Sequence, residues 1–329
     1  MTKVAVLDDW QGVARTSADW LPLMARAELV FFDQAFKDEA DAAEKLADFE
    51  IILSMRERTP LSESLIHRLP ILRMLGITGS RNLSLDIAAC TARGVVVCNT
   101  MDTSARAATA ELALGLLLAA ARAIPAADAN IRAGCFQQGV PVGISLAGKT
   151  IGIVGLGRLG SDMARYCRAL NMNVLAWSQN LTAEKAEAAG ATLVSKEELL
   201  SRSDAVSIHL VLSPHSRGLI RASDIARMKP GAILINTSRG PIVDETALID
   251  AVQSRRIIAA LDVYDREPLP VSHPLRNSPN TVLTPHIGYC VQETWTEFYQ
   301  QSLENALAFL EGKPVRVMNP DAQRVAHST

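Results

Sequence analysis

Ile151-Gly152-Ile153-Val154-Gly155-Leu156-Gly157-Arg158-Leu159-Gly160 is the stretch that decides the fold. A short apolar run, Ile151 to Val154, leads directly into Gly155, Gly157 and Gly160, and Ser161 to Leu170 reads as a helix. Strand, glycine turn and helix together are the context that a dinucleotide-binding fingerprint requires. Gly155 allows a tight turn, Gly157 the close approach of a pyrophosphate, and Gly160 the packing of helix on strand. The helix N-terminus adds unpaired N–H groups and a positive dipole end. The fingerprint lies in the middle of the chain, so another unit precedes it.

The chain has 329 residues, which suggests about two domains. Hydrophobic residues make up 48% and charged residues 21%, an ordinary balance for a globular protein with a substantial core. A net charge of −2 and a pI near 6.3, with no Lys/Arg run, argue against a nucleic-acid partner. The five cysteines (Cys90, Cys98, Cys135, Cys167 and Cys290) are scattered and show no metal-ligand spacing, so free thiols and no metal are expected. The N-terminal apolar run is too short for a signal peptide and is closed by Asp8 and Asp9. The most apolar stretch, Leu112–Ala121, is about half of what spans a bilayer. A cytoplasmic protein without a membrane partner is the expectation.

Working outward from the fingerprint, strands are expected at Val4–Leu7, Leu29–Phe32, Ile51–Leu53, Ile71–Leu75 and Val95–Val97. Helical stretches at Asp38–Ala47, Leu61–Arg68 and Leu85–Ala92 lie between some of them. This alternation indicates a parallel sheet covered on both faces. Ala105–Arg122 reads as a long buried helix bridging to the second unit, and Ala123–Pro141 as irregular, with Pro125, Gly134, Gly139 and Pro141 as breakers. Further strands are expected at Ile151–Val154, Val174–Trp177, Ala205–His209, Ala232–Asn236, Ile258–Val263 and Thr281–Thr284. With helices at Lys196–Ser201, Ala222–Met228 and Glu245–Ser254, this is a doubly wound nucleotide-binding arrangement. A final helix from about Val291 to Leu310 is placed to return to the first unit, making that domain discontinuous.

Three loops after late strands carry chemistry: Asn236-Thr237-Ser238-Arg239-Gly240, Asp262-Val263-Tyr264-Asp265-Arg266-Glu267-Pro268 and Thr284-Pro285-His286-Ile287-Gly288. Taken singly, Arg239 reads as a surface arginine, Glu267 as one end of a loop and His286 as a satisfied histidine. Taken together they form a set. A neutral His takes a hydroxyl proton, a carboxylate orients it, and an Arg fork holds a substrate carboxylate. Hydride transfer to a nicotinamide needs this set. In the first unit, Ser54–Pro60 with Arg56 and Arg58, and Gly76–Asn82, follow strand ends, where open α/β sheets place ligands. His209 ends a strand near the expected adenine site.

These motifs, with Gly148-Lys149-Thr150, Met228-Lys229-Pro230-Gly231-Ala232, Gly312-Lys313-Pro314 and Asn319-Pro320, cover nearly the whole chain. The sequence resembles the D-isomer-specific 2-hydroxyacid dehydrogenase family, which includes phosphoglycerate dehydrogenases and glyoxylate/hydroxypyruvate reductases. The resemblance implies two doubly wound parallel-sheet α/β domains. A Rossmann cofactor domain (residues 101–290) would be inserted in a discontinuous flavodoxin-like substrate domain (residues 1–100 and 291–329). It implies His286 as acid/base, Glu267 as its partner and Arg239 on the carboxylate of a small 2-keto or 2-hydroxy acid. Thr78, Gly79 and Ser80 would supply amides to that carboxylate, and Arg56 falls where some members carry a substrate-binding arginine. Thr109, Arg158, Leu159, Thr237, Ser238, Asp262 and Gly288 would touch the cofactor. A homodimer through the 105–122 helix region is also implied.

The chain departs from the family pattern at three places. Ser178, followed by Gln179, stands where NAD-preferring members carry an Asp for the ribose, and no Arg follows to receive a 2′-phosphate. Val211 replaces a common proline near the adenine, and Arg81-Asn82 replaces the acid usual after the glycine loop. The cofactor expectation is NAD, with NADP as the alternative. The alternative function is a nucleotide-sensing protein-interaction module, like the transcriptional corepressors related to this family. Formate-type dehydrogenases fit less well, because they carry Gln where Glu267 stands.

Overall fold

The computed structural model describes residues 1–101 and 103–322. Two compact units emerge: Met1–Ser104 together with the segment from Cys290 onward, and Ala105–Tyr289.

The first unit is built on five parallel strands: β1 Thr2–Val6, β2 Ala27–Phe31, β3 Ile51–Ser54, β4 Met74–Ile77 and β5 Val96–Asn99. Their order is β2-β1-β3-β4-β5, the flavodoxin-like arrangement. β3 and β4 are buried along their whole length because helices cover both faces, as a parallel sheet requires. Three covering helices start at side-chain caps. Asp38, Ser62 and Asp86 accept the N–H groups of Asp41, Leu65 and Ala89. Leu46, Leu65, Ile66, Leu69, Leu75 and Val97 form the fully buried centre. The helix Gln292–Leu310 completes this unit against the helices Ala14–Ser17 and Leu21–Met24 and strand β4. Beyond it Val317 bridges Cys98 in antiparallel fashion.

The apolar run at Ile71–Leu75 is expected to be a strand, but the ladder begins later. The N–H groups of Arg73 and Met74 both donate to Glu50 O, and Met74 pairs with Ile51. Ile71 is left in a turn, 45% exposed. The short helices Ala14–Ser17 and Leu21–Met24 carry too little periodicity to be read in advance.

The second unit holds seven parallel strands: β6 Thr150–Val154, β7 Asn173–Trp177, β8 Thr192–Leu193, β9 Ala205–Ile208, β10 Ile233–Asn236, β11 Ile258–Leu261 and β12 Thr281–Leu283. The order is β12-β11-β10-β9-β6-β7-β8. Strand order reverses at β6, flanked by β7 on one side and β9 on the other, so the switch point lies at the glycine turn. β8, two residues long, and the helix Ala183–Ala188 lie outside the expected elements. The helix after the turn is Arg158–Ala169, starting three residues earlier than expected.

The helix Ala105–Ala121 packs on this sheet through Ala113, Leu116, Leu117, Ala120 and Ala121, against Ile151, Ile153, Ile233 and Ile235. It is not buried on all sides: Leu112, Leu114 and Leu118 are half-buried and Gly115 is exposed. The expected irregular segment is also corrected. Ile124–Arg132 is a helix, with Pro125 in its first turn, where a missing N–H costs nothing. Ala123, in the left-handed region, bends the chain by 64° between the two helices. Among the described residues, no single helix is long and apolar enough to cross a membrane.

Candidate active site

At the glycine turn, the Gly155 N–H donates to Trp177 O at 2.8 Å, tying the turn to the end of β7. Gly155 has φ +98°, and a Cβ there would lie 2.6 Å from His209 O at the end of β9. A Cβ on Gly160 would lie 2.1 Å from Gly155 O. Gly157 differs: it caps the helix Arg158–Ala169 and faces open space. Two glycines therefore close the turn, and the third leaves a cradle beside the first N–H groups of a twelve-residue helix. Arg158 is exposed and Leu159 half-buried in that first turn.

Two buried polar atoms stand unpartnered beside the turn. His209 Nδ1 and Thr237 Oγ1 lack hydrogen bonds, although both side chains are nearly enclosed. His209 Nε2 pairs with Ser207 Oγ at 2.8 Å, and burial pushes its imidazole down to about pKa 4, so it is neutral. Because Val154 pairs with Ile208, and Ile208 with Asn236, these residues follow adjacent strand ends. Orphaned donors and acceptors around an open helix N-terminus fit a polar, anionic dinucleotide. Ser178 and Gln179 follow β7, half-buried and exposed respectively.

The three chemistry-bearing loops converge in this same unit. His286 Nδ1 donates to Glu267 Oε2 at 2.6 Å. Glu267 Oε1 accepts the Tyr264 N–H at 2.9 Å. Burial pushes the Glu267 carboxyl up. The His286 hydrogen bond and charge, the Tyr264 N–H and the Arg239 charge outweigh it, so the group lies below the usual glutamate range. The Glu267 carboxylate is thus ionised at neutral pH and accepts from the imidazole. Tyr264 also donates its hydroxyl to Thr284 O at 2.9 Å, joining the second loop to the third. A Cβ on Gly240 would lie 2.1 Å from the Tyr264 carbonyl carbon, so only glycine lets the first loop approach the second. Arg239 precedes that contact. Its Nη1 donates to Ser238 O, and its own carbonyl accepts from Asn236 Nδ2.

Asp262, fully buried, organises the third loop. Its Oδ1 accepts Thr284 Oγ1 at 2.6 Å and the Ile287 N–H at 2.8 Å; Oδ2 accepts the Gly288 N–H at 2.9 Å. These bonds bracket His286, which sits at φ +55°. Burial raises the Asp262 carboxyl despite these donors. Thr109 Oγ1 reaches Gly288 O at 3.0 Å, and Ser238 Oγ donates to Ile208 O at 2.8 Å. Tyr264 and Gly240 belong to the quoted loops, yet nothing in their residue type marked them as the joints between loops.

In the first unit, Arg56 follows β3 at φ +50°. Its N–H donates to Thr78 Oγ1 and its carbonyl accepts from Asn82 Nδ2, at 2.8 and 2.7 Å. Its guanidinium lies so close over Gly79 that a Cβ there would come within 1.9 Å of Nη1. The Gly79 N–H is turned to Thr100 Oγ1 at 2.8 Å, Thr78 is buried and Ser80 exposed. Arg58 donates to Asp8 O and lies over the rings of Trp10 and Trp295.

Comparison with known proteins places the chain in a family. The family model described as "D-isomer specific 2-hydroxyacid dehydrogenase, NAD binding domain" matches residues 114–288. The D-3-phosphoglycerate dehydrogenase of Archaeoglobus fulgidus is 38% identical over 263 residues, 80% of this chain and 50% of that protein. The chain spans about half the length of the curated relatives it matches. Among solved structures, a phosphoglycerate oxidoreductase from Vibrio cholerae O395 superposes with a TM-score of 0.89 at 34% identity, covering 95% of this chain and all of that one. The apo D-lactate dehydrogenase of Escherichia coli gives 0.82 at 25%, covering 96% of this chain and all of that one. The chain belongs to the D-isomer specific 2-hydroxyacid dehydrogenase family.

Proposed function

We propose that the protein transfers a hydride reversibly between a nicotinamide dinucleotide and a small 2-keto acid, giving a D-2-hydroxy acid. The 2.6 Å bond between His286 and Glu267 carries this reading. Because the ionised carboxylate accepts at Nδ1, that nitrogen keeps its proton, and Nε2 is the nitrogen that exchanges a proton with the substrate oxygen. As a hydroxy acid is oxidised, Nε2 takes the hydroxyl proton, and Glu267 stabilises the imidazolium that forms. In reduction the imidazolium returns that proton to the carbonyl oxygen. The Arg239 fork suits the substrate carboxylate through charge-assisted bonds of about 1.5–3 kcal/mol each. Arg56 and the Thr78-Gly79-Ser80 loop are assigned to the substrate by family resemblance.

The dinucleotide would be held by the Gly155–Gly160 turn and the N–H groups of Arg158 and Leu159. Ser178, Gln179, His209, Thr237 and Ser238, with Thr109, Asp262 and Gly288, would line its length. When bound, it supplies the hydride donor or acceptor. The half-open face of Ala105–Ala121, with Ile131 and Phe136 exposed nearby in sequence, supports a homodimer through that region, and five cysteines outside any disulfide suit the cytoplasm. Sedimentation equilibrium is expected to give twice the chain mass; a monomer at micromolar concentration would refute the dimer.

The decisive assay offers glyoxylate, hydroxypyruvate, pyruvate and phenylpyruvate with reduced cofactor. His286→Ala is expected to lower kcat by roughly 100- to 10,000-fold while nucleotide binding is kept. Near-normal turnover by this variant would sink the assignment. Nucleotide binding by the wild type without turnover of any 2-keto acid would favour the interaction-module alternative.

A further inference from the structure

We propose that Ser178 makes the dinucleotide site permissive, so that the protein binds NADH and NADPH with comparable affinity. The inference rests on the dinucleotide reading of the glycine turn. It does not depend on which keto acid is reduced.

The position of Ser178 follows from backbone bonds. Gly155 N–H to Trp177 O fixes the end of β7 against the first residue of the glycine turn, and Val154 pairs with Trp177 in the sheet. Ser178 is thus the first residue past the strand next to the turn, where the side chain that reads the adenosine ribose stands in this fold. Its carbonyl accepts the Leu181 N–H at 3.1 Å, and Leu181 packs against the core beneath. This short turn holds Ser178 half-buried at the rim and leaves Gln179 and Asn180 exposed beside it.

The chemistry of this rim is neutral. A hydroxyl and two carboxamides offer both donors and acceptors. They can bond a ribose 2′-hydroxyl, and they can equally donate to a 2′-phosphate. A carboxylate here does two things: it accepts from the ribose diol, and it repels a 2′-phosphate. Ser178 keeps part of the first effect and has none of the second. Nearby charges add little bias. Glu184, fully exposed, is turned to its own helix start beside Thr182, which caps that helix. Arg158, exposed, opens the helix after the glycines, where a pyrophosphate common to both cofactors would lie. Neither strong attraction nor strong repulsion of the extra phosphate is built into this edge.

The test is equilibrium binding of NADH and NADPH to the whole chain, read by the nucleotide's own fluorescence and without substrate. The two dissociation constants are expected to agree within about tenfold. Ser178→Asp should weaken NADPH by roughly 100-fold or more and change NADH by less than about tenfold. Ser178→Arg should move the ratio the other way. Thermal melting of each variant separates misfolding from altered choice. Wild-type discrimination above about 100-fold in either direction would overturn the inference, and so would a ratio unmoved by both substitutions. Turnover with NADH alone, together with undetectable NADPH binding, would overturn this inference and leave the proposed reaction standing. Equal binding without turnover would do the reverse. Failure to bind either nucleotide would overturn both.

Discussion

His286 occupies a left-handed backbone conformation that costs a non-glycine residue roughly 1–2 kcal/mol. Three bonds to Asp262 hold the loop there, so the strain is imposed by a buried carboxylate and not by chance packing. The geometry delivers the imidazole to Glu267. Glu267→Gln keeps the shape but removes the charge that supports an imidazolium, and one rotamer of the amide presents its NH2 to Nδ1. We expect kcat to fall by about 10- to 1,000-fold with a much smaller change in nucleotide affinity. Steady-state rates and fluorescence binding on the same preparation check both halves. An unchanged kcat would remove Glu267 from the mechanism.

At the scale of elements, the glycine turn divides its work between residues. Gly160→Ala puts a methyl against backbone at 2.1 Å, where nothing flexible can yield. A loss of about 1–3 kcal/mol in stability is expected, with weakened nucleotide binding as a consequence. Gly157→Ala meets no protein atom, and φ at this position is −83°, so stability should change by less than about 1 kcal/mol. Its methyl instead enters the cradle, and nucleotide affinity should fall at least tenfold. Denaturant melts and binding titrations separate the two; similar profiles would mean that the cradle is misassigned. The strands were legible where apolar runs coincide with ladders, as at Ile151–Val154. At Ile71–Leu75 the ladder is set by Glu50, a distant residue just before β3, and local hydrophobicity cannot reveal it. Pro125 read as a breaker because its tolerance in a first helical turn depends on where the preceding helix ends. In the candidate site, the loops carrying Arg239, Glu267 and His286 stood out by residue type, and the fold joins Glu267 to His286. The joints were not: Tyr264 to Thr284, Gly240 against Tyr264 and Gly79 to Thr100 are pairings that only the folded chain defines.

For the whole molecule, two carboxyls, Asp8 buried and Glu267 partly exposed, set opposing pH dependences. Asp8, 1% exposed, accepts from the Thr59 hydroxyl, and burial pushes its carboxyl up to about 6 despite that bond and the Arg58 charge. A carboxyl raised in the folded state stabilises the fold while both states are protonated. That contribution is lost as pH rises from the unfolded value near 4 through about 6. Glu267, lowered, acts in the other sense: its contribution is present above the ordinary glutamate range and lost as pH falls below it. Relative to Asp8→Asn, the wild type should therefore lose on the order of 3 kcal/mol of stability between pH 4 and pH 7. Urea melts of both proteins at each pH would show it, and parallel curves would refute it.

The first unit is assembled from two stretches of chain separated by the entire second unit. Its closing pieces come late: Phe298 and Ala306 in the core, Trp295 stacked on Tyr299, and Asn319 reaching Val97. During synthesis, every residue of the second unit leaves the ribosome before these pieces do. The second unit can thus fold while the amino-terminal sheet still lacks its covering helix. Throughout that interval the faces around Trp20, Tyr299's future neighbour, stay open to water and to chaperones. Pausing of translation after Tyr289 would prolong this exposure, whereas an equal pause after Ser104 would leave no finished unit at all.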